Sequence, residues 1–413
     1  MERLAKHLRL FDIKDSLLED FLQYPRNNLN DFDLIGKLIS FADKHAVNGN
    51  CWQYYIAYFI ADNENAFSLA CERKDGVSGT MLDFAYEDCR NLMEIFNLSP
   101  SALPTVENDA NLIKNFKSTL SKSTFPYADQ IQKFSLDLSK CKTTQAFLNT
   151  VIEFYRVYGV GELGLNKAFR VVDENNRAKL LPITCMDGKR LNDLVGYDLQ
   201  KQRVLQNTQA FLDGKKANNV LLYGDMGTGK SSTIKALINE FYEQGLRVIE
   251  LYKHQFMHIS DLISKLAGRN YKYILYLDDL SFDDFEVEYK YFKAIIDGGL
   301  EVKPDNVLIY ATSNRRHLIK EHYSDNSDID PMDELHKSDT KNEKLSLVAR
   351  FGLSIYYPSP DQQEFLNIVR QLAKRYNIDL DETQLDKKAL TWAIRNGSKS
   401  GRMAEQFIYS LLH

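Results

Sequence analysis

Gly224-Asp225-Met226-Gly227-Thr228-Gly229-Lys230-Ser231 decides the fold. The stretch fits Gly-x-x-x-x-Gly-Lys-Ser/Thr at every position. It follows the apolar run Val220–Tyr223 and precedes a helical pattern that begins near Ser231 and closes around Gly245. A phosphate-binding loop needs that strand–loop–helix context. The glycines let consecutive backbone N–H groups point at phosphate oxygens, and the helix N-terminus adds its positive end. In such a loop Lys230 reaches the β- and γ-phosphates of a nucleotide, the Ser231 hydroxyl coordinates Mg2+, and Ser232 completes the phosphate-facing run.

Working outward, Tyr273–Leu277 is an apolar strand that ends in Asp278 and Asp279, 48 residues beyond the lysine. In a parallel sheet, acids at the C-terminal end of a strand lie where ligands bind. Asp278 is thereby expected to hold Mg2+ through water and Asp279 to polarise an attacking water. A further run, Val307–Ala311, leads through Thr312 and Ser313 to Asn314, whose amide suits the γ-phosphate or the lytic water. Arg247–Leu251 and Leu353–Tyr357 read as two more buried strands, and helical patterns fall between most of the five. This alternation predicts a parallel sheet covered on both faces. Beyond Pro358 the periodicity is helical to His413. The first ~170 residues are helical and aromatic, with apolar positions three and four apart. Three domains follow: a helical N-terminal domain over 1–175, an α/β subdomain over 176–357 and a helical lid over 358–413.

Composition narrows the function classes. The 413 residues carry 52 Lys+Arg against 57 Asp+Glu, with 44% apolar residues. Disorder over most of the chain is excluded, and a net charge of −5 gives no global pull toward nucleic acid or an anionic membrane. Five scattered cysteines and no CxxC pair fit a reducing compartment. With no apolar run near the ~18 residues of a membrane span, a cytoplasmic location is expected.

Other motifs take structural readings. Gly159-Val160-Gly161-Glu162-Leu163-Gly164 matches a dinucleotide pattern, but a helix precedes it where the fingerprint needs a strand. Cys51–Ile60, dense in aromatics, is read as helical core. Lys114, Lys117 and Lys122 are read as a solvated helix face, and Ser16 with Glu19 has capping-box spacing. Residues 321–344 hold eight acids against three lysines, the composition of a solvated loop, with client binding as the alternative.

The order of these motifs resembles the AAA+ ATPases, from about Leu191 to Ser410. That resemblance implies a P-loop parallel sheet of AAA+ type with a helical lid, and ATP and Mg2+ as cofactors. It also assigns further residues. Leu194-Val195-Gly196-Tyr197 is similar to the segment that holds adenine, and Asn314 to the first sensor. Arg350, within Ser346–Gly352, resembles an arginine finger that acts in trans on a neighbouring subunit's nucleotide. Arg402, within Ser400-Gly401-Arg402, resembles the second sensor. Asn218–Lys230 and Asp305–Leu318 look like a bacterial group of stand-alone AAA+ proteins filed as a domain of unknown function.

In one respect the chain departs from AAA+ practice: Asp279 stands where Glu is common, and its carboxylate is one methylene shorter. The expectation is therefore an ATPase that remodels or loads a protein client through a homo-oligomer, the alternative being a nucleotide-dependent switch with little hydrolysis. Arg315, Arg316 and His317 are read as serving the phosphates or a subunit interface rather than DNA.

Overall fold

The structure is a computed structural model that describes residues 8–23, 31–73, 76–98, 109–174, 177–184, 186–282, 287–297, 304–314 and 348–412. The chain divides into two compact units. One comprises Met1–Lys167, Pro182–Cys185 and Gly268–Asn270, the other Ala168–Leu181, Met186–Ala267 and Tyr271–His413.

The first unit is built from α1 (Leu17–Gln23), α2 (Asp31–Lys44), α3 (Cys51–Asp62), α4 (Ala66–Glu72), α5 (Thr80–Phe96), α6 (Asp109–Lys114), α7 (Ala128–Ser139), α8 (Thr144–Tyr158) and α9 (Gly161–Leu165). The two-residue strands β1 (Asn48–Gly49) and β2 (Phe116–Lys117) pair antiparallel. α3 is apolar all round and therefore central. It starts at Asn50, whose side chain accepts the Gln53 N–H, and it buries Trp52, Tyr54, Tyr55, Ile56 and Phe59. Buried aromatics keep their polar tips satisfied: the Trp52 indole donates to the Ile95 carbonyl (2.9 Å) and the Tyr155 hydroxyl to the Ile60 carbonyl (2.6 Å). Ser16 caps α1 by accepting the Glu19 N–H, while the Glu19 carboxylate reaches back to the Asp15 N–H.

Two motifs resolve here. Gly159 ends α8 at φ +73, so a helix precedes the glycine-rich segment and no dinucleotide fingerprint forms. Lys114, Lys117 and Lys122 are exposed but lie on α6, on β2 and in a loop, so the expected single helix face is corrected to three separate elements.

The second unit holds β3 (Ala168–Glu174), β4 (Arg177–Pro182), α10 (Asp198–Leu212), β5 (Val220–Gly224), α11 (Lys230–Phe241), β6 (Leu246–Leu251), α12 (Ile259–Leu266), β7 (Lys272–Leu277), α13 (Val287–Asp297), β8 (Val307–Ser313) and β9 (Leu353–Tyr357). The sheet order is β4-β3-β6-β7-β8-β5-β9, and β3 and β5 to β9 pair in parallel. The run β6-β7-β8-β5-β9 places the strand carrying the phosphate-loop sequence between two later ones. Nearly every residue of β5, β7 and β8 is buried, as strands covered on both faces require. The lid follows as α14 (Gln362–Arg375), α15 (Glu382–Arg395) and α16 (Gly401–Ser410), closed on Phe365, Val369, Ala389, Ala404, Phe407 and Ile408.

The strands β3 and β4 extend the sheet beyond the five read from sequence. Their exposed charged positions, among them Arg170, Glu174, Arg177 and Lys179, break the apolar run that marks the inner strands. Among the described residues no helix is long and apolar enough to cross a membrane, and Cys51, Cys71, Cys89 and Cys141 are free thiols.

Candidate functional site

The loop between β5 and α11 is shaped by close backbone approach. Gly224 has φ +135, and a Cβ there would meet the Tyr357 carbonyl at 2.1 Å, a distance no side chain tolerates. Gly227 has φ +75, and a Cβ there would sit 2.8 Å from the Ser400 hydroxyl. The first glycine therefore packs the loop against the end of β9 and the second against the lid. Lys230, the first residue of α11, is buried, and its ammonium donates to the carbonyls of Gly224 (2.9 Å) and Asp225 (2.6 Å). Burial pushes its pKa down, against the attraction of Asp225, Asp279 and Asp278.

Across the loop stand the two acids beyond β7. The register pairs Leu277 with Ala311, so the next residues, Asp278 and Thr312, face each other. The Ser231 hydroxyl donates to Asp278 Oδ1 at 2.7 Å, and the Thr312 hydroxyl donates to the same oxygen at 2.6 Å. Burial pushes the Asp278 carboxyl up, but hydrogen bonds headed by that from Thr312 outweigh it and hold the group below the usual carboxylate range. Asp279 has φ +52, its N–H donates to Thr312 Oγ1 (2.9 Å), and its Oδ1 accepts from the Asn314 amide (2.8 Å).

The third wall joins the 194–197 segment to the lid. Tyr197, at φ +57, stacks on Tyr357 with ring centroids 5.1 Å apart and donates its hydroxyl to the Pro358 carbonyl. Val195 packs on the lid core and Gly196 lies beside Ile368. Ser400 caps α16, and the Arg402 N–H donates to the Gly227 carbonyl (3.2 Å). Asp225 is held by both sides: its N–H donates to the Tyr357 carbonyl, and its Oδ2 accepts the Ser359 N–H at 2.7 Å. Lys189 pairs with Glu405 of α16 at 2.9 Å.

These walls enclose a cavity of about 330 Å³. It gathers Val195, Gly196, Tyr197, Met226, Gly227, Thr228, Gly229, Lys230, Ser231, Ser232, Asp278, Asp279, Asn314 and Arg402 from the sequence-based set. Gly224 and Asp225 form the base of the loop rather than the cavity wall. Arg350 does not join them. It is exposed just ahead of β9, and Leu353 pairs with Val220 while Tyr357 pairs with Gly224. The arginine thus lies at the opposite strand end from the phosphate loop, about 13 Å or more away at ~3.3 Å per residue. Arg315, Arg316, His317, the acidic segment 321–344 and the Ser346-Leu347 start of the arginine-finger segment lie outside the described residues.

Sequence reasoning missed Thr312, Tyr357, Lys189 and Glu405. For Thr312 a signal existed: strand alternation puts it on the same face as Asn314, as the first polar position after the apolar run Val307–Ala311.

The donor set fits a Mg2+–nucleotide complex. A hydroxyl and an ionised carboxylate meet at one point beside a loop of backbone N–H groups and a lysine, and Mg2+ in such sites needs few protein oxygens because phosphates and waters supply the rest. Apolar atoms of Val195, Tyr197, Ile368 and Leu372 line the other end, as a base requires.

The family described as "Protein of unknown function (DUF815)" matches residues 165–413. A search of curated proteins gave no match. Among solved structures the chain is similar to RuvB of Thermotoga maritima, the Holliday junction branch migration motor, at 16% identity over 54% of this chain and 72% of that one, with a TM-score of 0.32. A point variant of the same protein gives 15% identity with the same coverage and a TM-score of 0.33.

Proposed function

The chain belongs to the DUF815 family, and from the phosphate-loop sequence and the side chains gathered around its cavity we propose that it binds ATP with Mg2+ there and hydrolyses it within a homo-oligomer, using the cycle to remodel or load a protein client. The observation that carries the reading is the meeting of Ser231 and Asp278 at 2.7 Å beside Lys230, with the Asp279–Asn314 pair at 2.8 Å on the same wall. In this assignment the backbone N–H groups of Met226–Ser231, with the Lys230 ammonium, hold the phosphates. Ser231 and Asp278 hold the metal, which when bound neutralises charge on the β- and γ-phosphates. Asp279 orients the attacking water and accepts its proton, with Asn314 fixing that carboxylate. Arg402 reaches the γ-phosphate from the lid, and Tyr197 with Val195 covers the base.

Arg350, remote from its own subunit's loop, is assigned to a neighbour's nucleotide. Steady-state ATP hydrolysis per subunit, measured over a wide range of protein concentration with Mg2+ in excess, tests the whole. The expected rate rises with concentration, and Lys230→Ala abolishes it. Turnover that survives Lys230→Ala removes the central claim.

Asp279 itself supports a second reading. Its short carboxylate is already engaged by the Asn314 amide, an arrangement that suits a switch in which ATP fixes a conformation and hydrolysis is slow. Tight Mg2+–ATP binding with no measurable turnover, and client binding that survives replacement of Asp279, are the signs of that switch.

A further inference from the structure

Thr312 holds three successive residues of the turn after β7. Its hydroxyl donates to Asp278 Oδ1 (2.6 Å) and accepts the Asp279 N–H (2.9 Å), and its carbonyl accepts the Leu280 N–H (2.7 Å). The hydroxyl's direction is fixed by elimination. A backbone N–H can only donate, so the one hydroxyl proton must point at the carboxylate. We propose that Thr312 is a positioning residue for the nucleotide reaction, setting the metal-facing carboxylate of Asp278 and the water-facing carboxylate of Asp279 from a single atom.

Two features give Thr312 this part rather than Ser231, which also donates to Asp278. Ser231 stands in the first turn of α11, directly after the loop that must adjust to phosphates, and is only partly buried, whereas Thr312 is 1% exposed within a seven-residue strand that is buried throughout. It is the fixed reference of the pair. Moreover, Asp279 sits at φ +52, a left-handed conformation that a residue with a side chain adopts only at a cost. The Thr312 oxygen, the Thr312 carbonyl and the Asn314 amide lie around that turn and offset the cost. Without the hydroxyl, Asp279 loses a hydrogen bond on its backbone while Asp278 loses one on its side chain, so the error reaches both acids together.

The inference rests on the Mg2+–ATP reading of the cavity and extends it. Its test compares the full-length wild-type chain with Thr312→Val, which keeps the shape and deletes the hydroxyl, and Thr312→Ser, which restores it. A fluorescent ATP analogue gives nucleotide affinity with and without Mg2+, steady-state assays give kcat and KM, and thermal melting without ligand reports folding.

For Thr312→Val the expected result is a rise of about 10–100-fold in the Mg2+ concentration that half-saturates its effect on binding, with kcat reduced over a similar range. Affinity without Mg2+ stays within about twofold, and Thr312→Ser returns both readouts to near wild type. A Thr312→Val chain with wild-type Mg2+ dependence overturns the proposal. So does a Thr312→Ser chain as impaired as the valine variant, or a deficit that appears equally without Mg2+ and tracks a lowered melting temperature. A wild-type chain that binds no ATP defeats the nucleotide reading itself. A wild-type chain that binds Mg2+–ATP, beside an indistinguishable valine variant, defeats the Thr312 assignment alone.

Discussion

In the helical unit the Asp88 carboxylate accepts the backbone N–H groups of Arg9 (2.9 Å) and Leu10 (2.8 Å). In the same unit the His45 ring lies among Phe41, Tyr54, Tyr58, Phe125 and Tyr127. In the α/β unit, Asp278 and Asp279 stand past the end of a strand and take their hydrogen bonds from the side chains of Ser231, Thr312 and Asn314. The residue types overlap but the partners differ. Where backbone N–H groups saturate a carboxylate, as at Asp88, that carboxylate is fixed as part of the architecture. Where other side chains at a sheet edge hold it, it faces a cavity and stays available to a ligand. Burial follows the same division for these carboxylates, Asp88 being fully buried and Asp278 and Asp279 exposed at the cavity, but not for every group, since Lys230 in the cavity wall is as buried as His45, each 6% exposed.

The largest effect expected from breaking this contrast is at Arg350. Arg350→Ala is expected to lower ATP turnover about 10³–10⁵-fold. Mixing that variant with Lys230→Ala chains should restore activity, because each supplies what the other lacks. No recovery on mixing would place the arginine's action within its own subunit or outside the reaction.

Next in size is the core of the helical unit. Phe147 is fully buried and meets Phe96 edge-on at 5.9 Å. Phe147→Ala is expected to cost about 3–5 kcal/mol, read from denaturant unfolding in a Trp392→Phe background where Trp52 alone reports. A loss under about 1 kcal/mol would show that this core is not close-packed.

The smallest effect sharpens the contrast through pH. Burial lowers the His45 pKa, the charge of Lys44 adds to this, and the Phe41 carbonyl opposes it. The ring is held neutral, with Nδ1–H donating to Phe41 (2.8 Å) and Nε2 accepting from the Tyr127 hydroxyl (3.2 Å). With the folded pKa depressed, the unfolded chain binds the extra proton first. Stability is therefore full above the ordinary histidine pKa and declines as pH falls below about 6.5, by at most about 1.4 kcal/mol per pH unit from this group. His45→Gln should remove that share of the slope, and an unchanged slope would assign it elsewhere.

The strands β5 to β8 and the phosphate loop were legible because parallel strands buried on both faces leave continuous apolar runs, and because the loop's glycines and lysine have fixed spacing; β9, an edge strand with Tyr356 exposed, was legible from its apolar content alone. The strands β3 and β4 were not legible, since Arg170, Glu174, Arg177 and Lys179 interrupt their pattern. At the candidate site, residues carried by contiguous motifs could be named in advance. For Thr312 the only signal was its strand alternation with Asn314, and a hydroxyl near a strand end reads equally well as a turn signal. The bonds from Ser359 to Asp225 and from Arg402 to Gly227 join positions 134 and 175 residues apart, and local pattern holds no record of them.

Those two bonds make the phosphate loop and the lid a single lever. One tie is at the lid's entrance and the other at its last helix, each worth about 1 kcal/mol net. Any ligand that redirects the loop's N–H groups must strain or reset both ties, and any force that swings the lid must disturb the loop in return. Such reciprocity is thermodynamic linkage: a partner that grips the lid would alter nucleotide affinity by the same factor by which nucleotide alters the partner's own.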